Sequence, residues 1–332
     1  MTITARRSIL ILRLSALGDI IHTLPAVVAL RQAYPSAKLG WIAEQPFLDL
    51  VRSVAPVDEV FPVATRRWRK NLLASRTRHE VAESQRSIRE FARGGTAIDF
   101  QGLFKSAVLA RLSQAEERFG FSTDAVRERA AALFYNRRVP VDQSRHVVEW
   151  NMELARAAGA DASLPPSIQD RCLRFASGTA QLEALVTSST VVLNPGAARF
   201  IKLWGVDSFA ELAARIRQEL DLDPLVVWGP GEKETATEIA GRSGARLAPP
   251  TSLPELTFLL SRAPLLVSGD TGPLHLAAAM DRPVVGLFGP TNPARNGPWG
   301  ALDHVVESYS SAQLMNQIAV DAVFRRVQEV WR

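Results

Sequence analysis

Two acidic residues of this 332-residue chain follow glycines where an apolar run gives way to a helical pattern. Asp19 stands in "SALGDIIHTLP" and Asp270 in "SGDTGPLHLAAAM". A carboxylate at the mouth of a helix either caps free backbone N–H groups or is offered to a ligand. For Asp19 the chemical option is a general base that takes a proton from an acceptor hydroxyl. His22, three residues later, is placed to hydrogen-bond that carboxylate or a substrate, and local packing explains it equally well.

The second half offers a different chemistry. Asp270 suits sugar hydroxyls as an acceptor, while Thr271 and Gly272 open a helix whose unpaired N–H groups suit a phosphate. His275 lies one turn into that helix. Lys202, in "NPGAARFIKLW", would neutralise a diphosphate leaving group as its bond to a sugar breaks, although a lone lysine is more often plain surface. Glu232 and Glu234, in "GPGEKE", are candidates for ribose hydroxyls, and acids are also common at helix starts for dipole reasons.

An anionic acceptor is suggested by charge. Residues 66 to 93 hold nine Lys or Arg and three Asp or Glu. "TRRWRK" sets Arg66, Arg67, Arg69 and Lys70 around one tryptophan. Guanidinium forks match carboxylates and phosphates, against the plain alternative of a solvated basic face. Gln101, Gly102 and Lys105, in "DFQGLFKSA", follow a strand end and are expected on the same crevice as Asp19.

Strands alternating with helices must position these residues, which implies largely parallel sheets. The expected strands of the first half are residues 8–14, 38–43, 58–63 and 96–102, with a helix starting near Thr23 and Pro25 in its opening turn. The pattern restarts with strands at 190–197, 224–231, 263–270 and 283–290. Helices are expected at 208–220, capped by Asp207 or Ser208, at "PELTFLLSRA" and at "GPLHLAAAM". Two doubly wound sheets in tandem put a ligand site at their carboxyl edges, between the domains. The expected limits are 1–168 and 169–312, a linker starting near "GADASLPPSIQD", and a C-terminal helix in 313–332 that returns across the hinge.

Several classes are excluded or disfavoured. A single cysteine, Cys172, rules out a disulfide framework and suits a reducing compartment. No apolar run spans a bilayer, and Arg13 interrupts the N-terminal one, which reads as a strand and not a signal peptide. Neither Gly-x-Gly-x-x-Gly after the first strand nor a phosphate-loop signature is present. Asp19 and His22 are too few ligands for zinc, so no metal cofactor is expected. Nothing supports nucleic-acid recognition beyond the charge itself.

The motifs "SALGDIIHTLPAV", "TRRWRK", "DFQGLFKSA", "LNPGA", "WGPGEKE" and "SGDTGPLHLAAAMDRPVVGLFGPTNP" resemble the lipopolysaccharide heptosyltransferases, glycosyltransferase family 9, over nearly the whole chain. "RRWRK" followed by "QGLFKSA" is most similar to the heptosyltransferase I branch, which adds the first heptose to Kdo–lipid A. The resemblance implies a GT-B enzyme: two Rossmann-like doubly wound domains facing each other across a cleft, the first binding acceptor and the second the nucleotide-sugar. It implies inverting transfer from ADP-L-glycero-β-D-manno-heptose. The family's base falls on Asp19, its diphosphate lysine on Lys202, and its donor loop on Asp270, Thr271, Gly272 and His275. Its nucleotide-binding glutamate falls on Glu232 or Glu234. Two donor-side hydroxyl residues of the family fall near Ala197 and Ala198, which leaves the phosphates more dependent on backbone N–H groups and Lys202.

The expected enzyme is a monomeric, cytoplasmic protein making peripheral contact with the anionic inner-membrane surface. Transfer of the second or third core heptose is the alternative within the family. A sugar-nucleotide epimerase of the same architecture is the alternative from another class, and the basic face argues against it.

Overall fold

The computed structural model describes residues 8–71, 73–161, 168–197, 199–308 and 314–331. The chain forms two compact units, Met1–Pro166 and Ser167–Arg332. The expected linker falls largely on 162–167, outside the described residues.

In the first unit the strands are β1 (Ser8–Leu12), β2 (Lys38–Glu44), β3 (Glu59–Val63), β4 (Thr96–Asp99), β5 (Glu117–Phe121) and β6 (Arg137–Val139). All pair in parallel, in the order β3-β2-β1-β4-β5-β6. Its helices are α1 (Leu17–Ala33), α2 (Leu48–Val54), α3 (Thr65–Lys70), α4 (Ser75–Ala92), α5 (Phe104–Leu112) and α6 (Val147–Ala157). β1 is buried along its whole length, as a continuous apolar run covered on both faces requires.

The second unit opens with two short helices, α7 (Gln169–Leu173) and α8 (Ala180–Glu183). Its strands are β7 (Thr190–Asn194), β8 (Asp223–Val226), β9 (Arg246–Leu247), β10 (Leu265–Gly269), β11 (Val284–Phe288) and β12 (Val305–Glu307). They too are all parallel, in the order β12-β11-β10-β7-β8-β9. The remaining helices are α9 (Val206–Leu220), α10 (Lys233–Ser243), α11 (Leu253–Arg262), α12 (Gly272–Ala279), α13 (Pro293–Asn296) and α14 (Val320–Trp331).

Counted within its own unit, each sheet runs 3-2-1-4-5-6, the Rossmann order. The winding direction reverses between β1 and β4, and again between β7 and β10. Ligands of such sheets bind beyond the carboxyl ends of the strands at these reversals. The loops after β1, β4, β7 and β10 are the ones that carry most of the candidate residues.

Three local expectations are corrected. Helix α1 starts at Leu17, not near Thr23, because the carbonyl of Ala16 already accepts the N–H of Ile20 at 2.9 Å. Pro25 therefore sits inside the helix and withholds the N–H that Ile21's carbonyl would take. Thirteen of the seventeen residues of α1 are buried, and that packing outweighs the lost bond. Helix α9 starts after Gly205, whose φ of 103° suits glycine, and neither Asp207 nor Ser208 is the cap.

The C-terminal helix covers only Val320–Trp331, preceded by a 3₁₀ turn at Met315–Gln317. Residues 309–313 lie outside the described residues. Val323, Phe324 and Val327 put one face of α14 into the second unit's core with Phe209 and Ile216 of α9.

Candidate active site

In the first unit, Arg13 is the first residue past β1, and its side chain is only 6% exposed. Its Nη2 lies 3.0 Å from Oδ1 of Asp19, and its Nε donates to the backbone carbonyl of Asp19 at 3.3 Å. Its Nη1 donates to the carbonyl of Phe100, just beyond β4. Asp19 occupies the third position of α1, where the helix dipole favours a carboxylate. Its Oδ2 accepts from the N–H of Ala16 at 3.3 Å, yet the side chain stays 41% exposed. The carboxylate is oriented and still open.

The loop after β4 is fixed from below. Oδ1 of Asp99 accepts from the N–H of Gln101 at 2.8 Å and of Gly102 at 3.2 Å, and its Oδ2 accepts from the Tyr135 hydroxyl at 2.7 Å. Complete burial pushes the Asp99 carboxyl up, against these hydrogen bonds. Gly102 makes the turn at φ 65°. The Gln101 side chain, expected on the crevice, instead accepts the N–H groups of Leu14 at 2.9 Å and Ser15 at 3.3 Å. It ties the two loops together.

His22 is buried, its ring edge-on to His146, the N-cap of α6, at 5.2 Å between centroids. Glu44, at the end of β2, was missed in the sequence. Its carboxylate accepts from both the N–H and the hydroxyl of Thr65 at the start of α3, and lies 3.7 Å from Nζ of Lys105. Helix α3 carries Arg66, Arg67, Arg69 and Lys70, all exposed. Arg67 is committed to Glu80 at 2.5 Å, and Glu80 also takes Arg76 at 3.4 Å. Among the described residues Arg66, Arg69 and Lys70 of α3 have no ion-pair partner, and neither do the exposed Arg78 and Arg93.

In the second unit, Lys202 and Asp270 come together from the loops after β7 and β10, with Nζ 2.5 Å from Oδ2. Nε2 of His275 lies 3.1 Å from the other oxygen, Oδ1. The Asp270 side chain is 10% exposed. Burial by itself raises its pKa, but the hydrogen bonds and charges of His275 and Lys202 prevail and hold the carboxyl at about 2. Asp270 was expected to offer its oxygens to sugar hydroxyls; in the structure one faces Lys202 and the other His275.

Thr271 caps no amide of α12. Its hydroxyl turns inward, 3.1 Å from Nδ2 of Asn194 and 3.0 Å from the hydroxyl of Ser268. Helix α12 thus starts at Gly272 without a side-chain cap from Thr271, and a helix N-terminus suits an anion. Ala197 is half-buried, and Ala198 lies outside the described residues. Glu232 and Glu234 separate clearly. Glu232 turns back, accepting the N–H of Gly229 at 2.8 Å, and its carboxylate fills the space a Cβ on Gly196 would need. Glu234 is exposed in the first turn of α10.

The sequence profile of glycosyltransferase family 9 (heptosyltransferase) matches residues 86–321. The lipopolysaccharide heptosyltransferase 1 of Pseudomonas aeruginosa is 36% identical over 295 residues, 88% of this chain and 81% of its own length. The protein of that name from Escherichia coli K12 is 33% identical over 300 residues, 88% and 91% of the two chains. The solved structure of E. coli heptosyltransferase WaaC with ADP superposes with a TM-score of 0.78 at 30% identity, covering 97% of this chain and 99% of that one. The two parallel-sheet units have the Rossmann-like architecture of the GT-B enzymes. The chain belongs to glycosyltransferase family 9, the heptosyltransferases, and is an enzyme of that family.

Proposed function

We propose that the chain moves L-glycero-D-manno-heptose from ADP-heptose to a Kdo hydroxyl of Kdo–lipid A, with inversion at the anomeric carbon. The observation that carries this reading is its likeness to WaaC, solved with ADP and with ADP-2-deoxy-2-fluoro heptose, over 97% of the chain.

In this mechanism Asp19 takes the proton of the acceptor hydroxyl as its oxygen bonds to the anomeric carbon. The bond from that carbon to the diphosphate breaks on the opposite face, and ADP leaves. Lys202 and the open N–H groups of α12 stabilise the diphosphate's growing charge. Asp270 and His275 hold Lys202 in place for that task, and Glu232, beside Gly196, takes the nucleotide side.

Arg66, Arg69 and Lys70 suit the acidic acceptor and an anionic lipid surface, which supports action at the cytoplasmic face of the inner membrane. No helix among the described residues is long and apolar enough to cross a membrane. With Lys202 supplying positive charge, full turnover is expected after exhaustive chelation. Turnover abolished by chelation and restored by Mg²⁺ would overturn that expectation.

The deciding assay gives the protein ADP-heptose with acceptors ending in Kdo or in heptose and reads product mass. Product on the Kdo-terminated acceptor is expected. Product only on the heptose-terminated one would assign a later step of the core, and a product without acceptor would assign an epimerase.

A further inference from the structure

We infer that Arg13 is the positioning residue for the Asp19 base, acting as a three-pronged clamp across the β1–β4 reversal. This rests on the assignment of Asp19 made above. Arg13 is a charged residue in place of the next apolar one at the end of a fully buried strand. A guanidinium so deeply buried is costly unless each of its donors is satisfied.

Each of the three guanidinium nitrogens has a partner. Nη2 meets the Asp19 carboxylate, Nε the Asp19 carbonyl, and Nη1 the carbonyl of Phe100. The backbone of Arg13 is held as well, its carbonyl accepting from Nε1 of Trp41 at 2.9 Å. The base is therefore referenced to β1, to its own helix backbone and to the loop after β4. Gln101 reinforces the same junction through Leu14 and Ser15.

Of the two carboxylate oxygens Arg13 takes Oδ1, while Oδ2 meets the N–H of Ala16 at 3.3 Å, and the side chain as a whole stays 41% exposed. The clamp fixes the carboxylate's rotation without closing it. A lysine, with one compact ammonium, keeps the charge but cannot reproduce the planar fork.

The test compares R13Q, R13K, D19N and the R13Q/D19N double variant in transfer from ADP-heptose. A misplaced base costs on the order of 10²-fold, so R13Q is expected to lower kcat by about that much with the ADP-heptose KM little changed. R13K is expected to fall between R13Q and wild type, and it carries the test if R13Q does not fold. In the D19N background, R13Q is expected to cost less than about threefold more, because residues acting as one unit are not additive.

Wild-type kcat in both R13Q and R13K, with D19N slow, would overturn the clamp and leave the base intact. Full additivity of R13Q with D19N would overturn it too, since Arg13 would then act independently of Asp19. Unimpaired D19N would remove the base assignment itself.

Discussion

The two units repeat one sheet order, yet they treat an acid near the reversal in opposite ways. In the first, Asp19 follows β1, is gripped on one oxygen by Arg13, and leaves its side chain 41% exposed. In the second, Asp270 follows β10, has both oxygens occupied by Lys202 and His275, and is 10% exposed. An open, oriented carboxylate is suited to take a proton. An enclosed, ion-paired one is suited to hold a cation where negative charge will develop. The same topology thus yields an open carboxylate in one half and an enclosed, ion-paired one in the other.

The largest effect that would sharpen this contrast is loss of the open acid. D19N keeps the shape of the side chain but cannot take the proton in the same way, and turnover is expected to fall ~10²–10⁴-fold. Near-wild-type turnover that still needs acceptor would remove Asp19 as the base. K202A attacks the anchor and is expected to lower kcat/KM for ADP-heptose by roughly 10²–10³-fold, the usual cost of one lost charge-stabilising donor. Unchanged donor kinetics would take Lys202 out of the site.

Reversing the cations of α3 should be milder and confined to the acceptor. With Arg66, Arg67 and Arg69 all changed to Glu, acceptor KM and liposome association are expected to weaken by about one order of magnitude, on a scale of roughly 1 kcal/mol per surface cation offset by screening. Donor binding should stay nearly constant. Equal losses on both sides would mean a folding role for the helix.

The smallest effect is one of stability with pH. The carboxyl of Asp270 is held at about 2 against an ordinary 3.8, so its ion pairing stabilises the second unit fully above about pH 4. That contribution, about 2 kcal/mol, is lost as pH falls through the folded value. Denaturant unfolding should therefore show wild type losing more stability than D270N between pH 4 and pH 2. Parallel losses would show that Asp270 is not ion-paired in solution.

Much of this was legible in the sequence because buried parallel strands announce themselves. The runs ending at Leu12, Asp99, Asn194 and Gly269 are apolar, and glycine or a polar turn follows each. The edge strands β6, β9 and β12 were not legible, since two or three residues give no period, and neither was β5 beside β6, which opens on Glu117 and Arg118. Asp19 and Asp270 were found by position, but their partners were not. Lys202 and Asp270 are distant in sequence, and only the pairing of β7 with β10 brings their loops together. Glu44 meets Thr65 and Lys105 across three loops, which no spacing reveals.

Arg13 is the instructive case. Its signal was present, a charge at the end of an apolar strand, and it served only to argue against a signal peptide. Gln101 and His22 show the converse, contacts that their spacing in the sequence does not reveal. Their residue types suit a ligand, but a neighbouring loop's N–H groups claim the first and His146 packs on the second.

The division of labour between the two units is tested most directly by titrating ADP-heptose into D19N and K202A, side by side with wild type, by calorimetry. D19N is expected to bind the donor with wild-type affinity although it transfers poorly, while K202A binds it weakly. Donor affinity lost in D19N as much as in K202A would contradict the account.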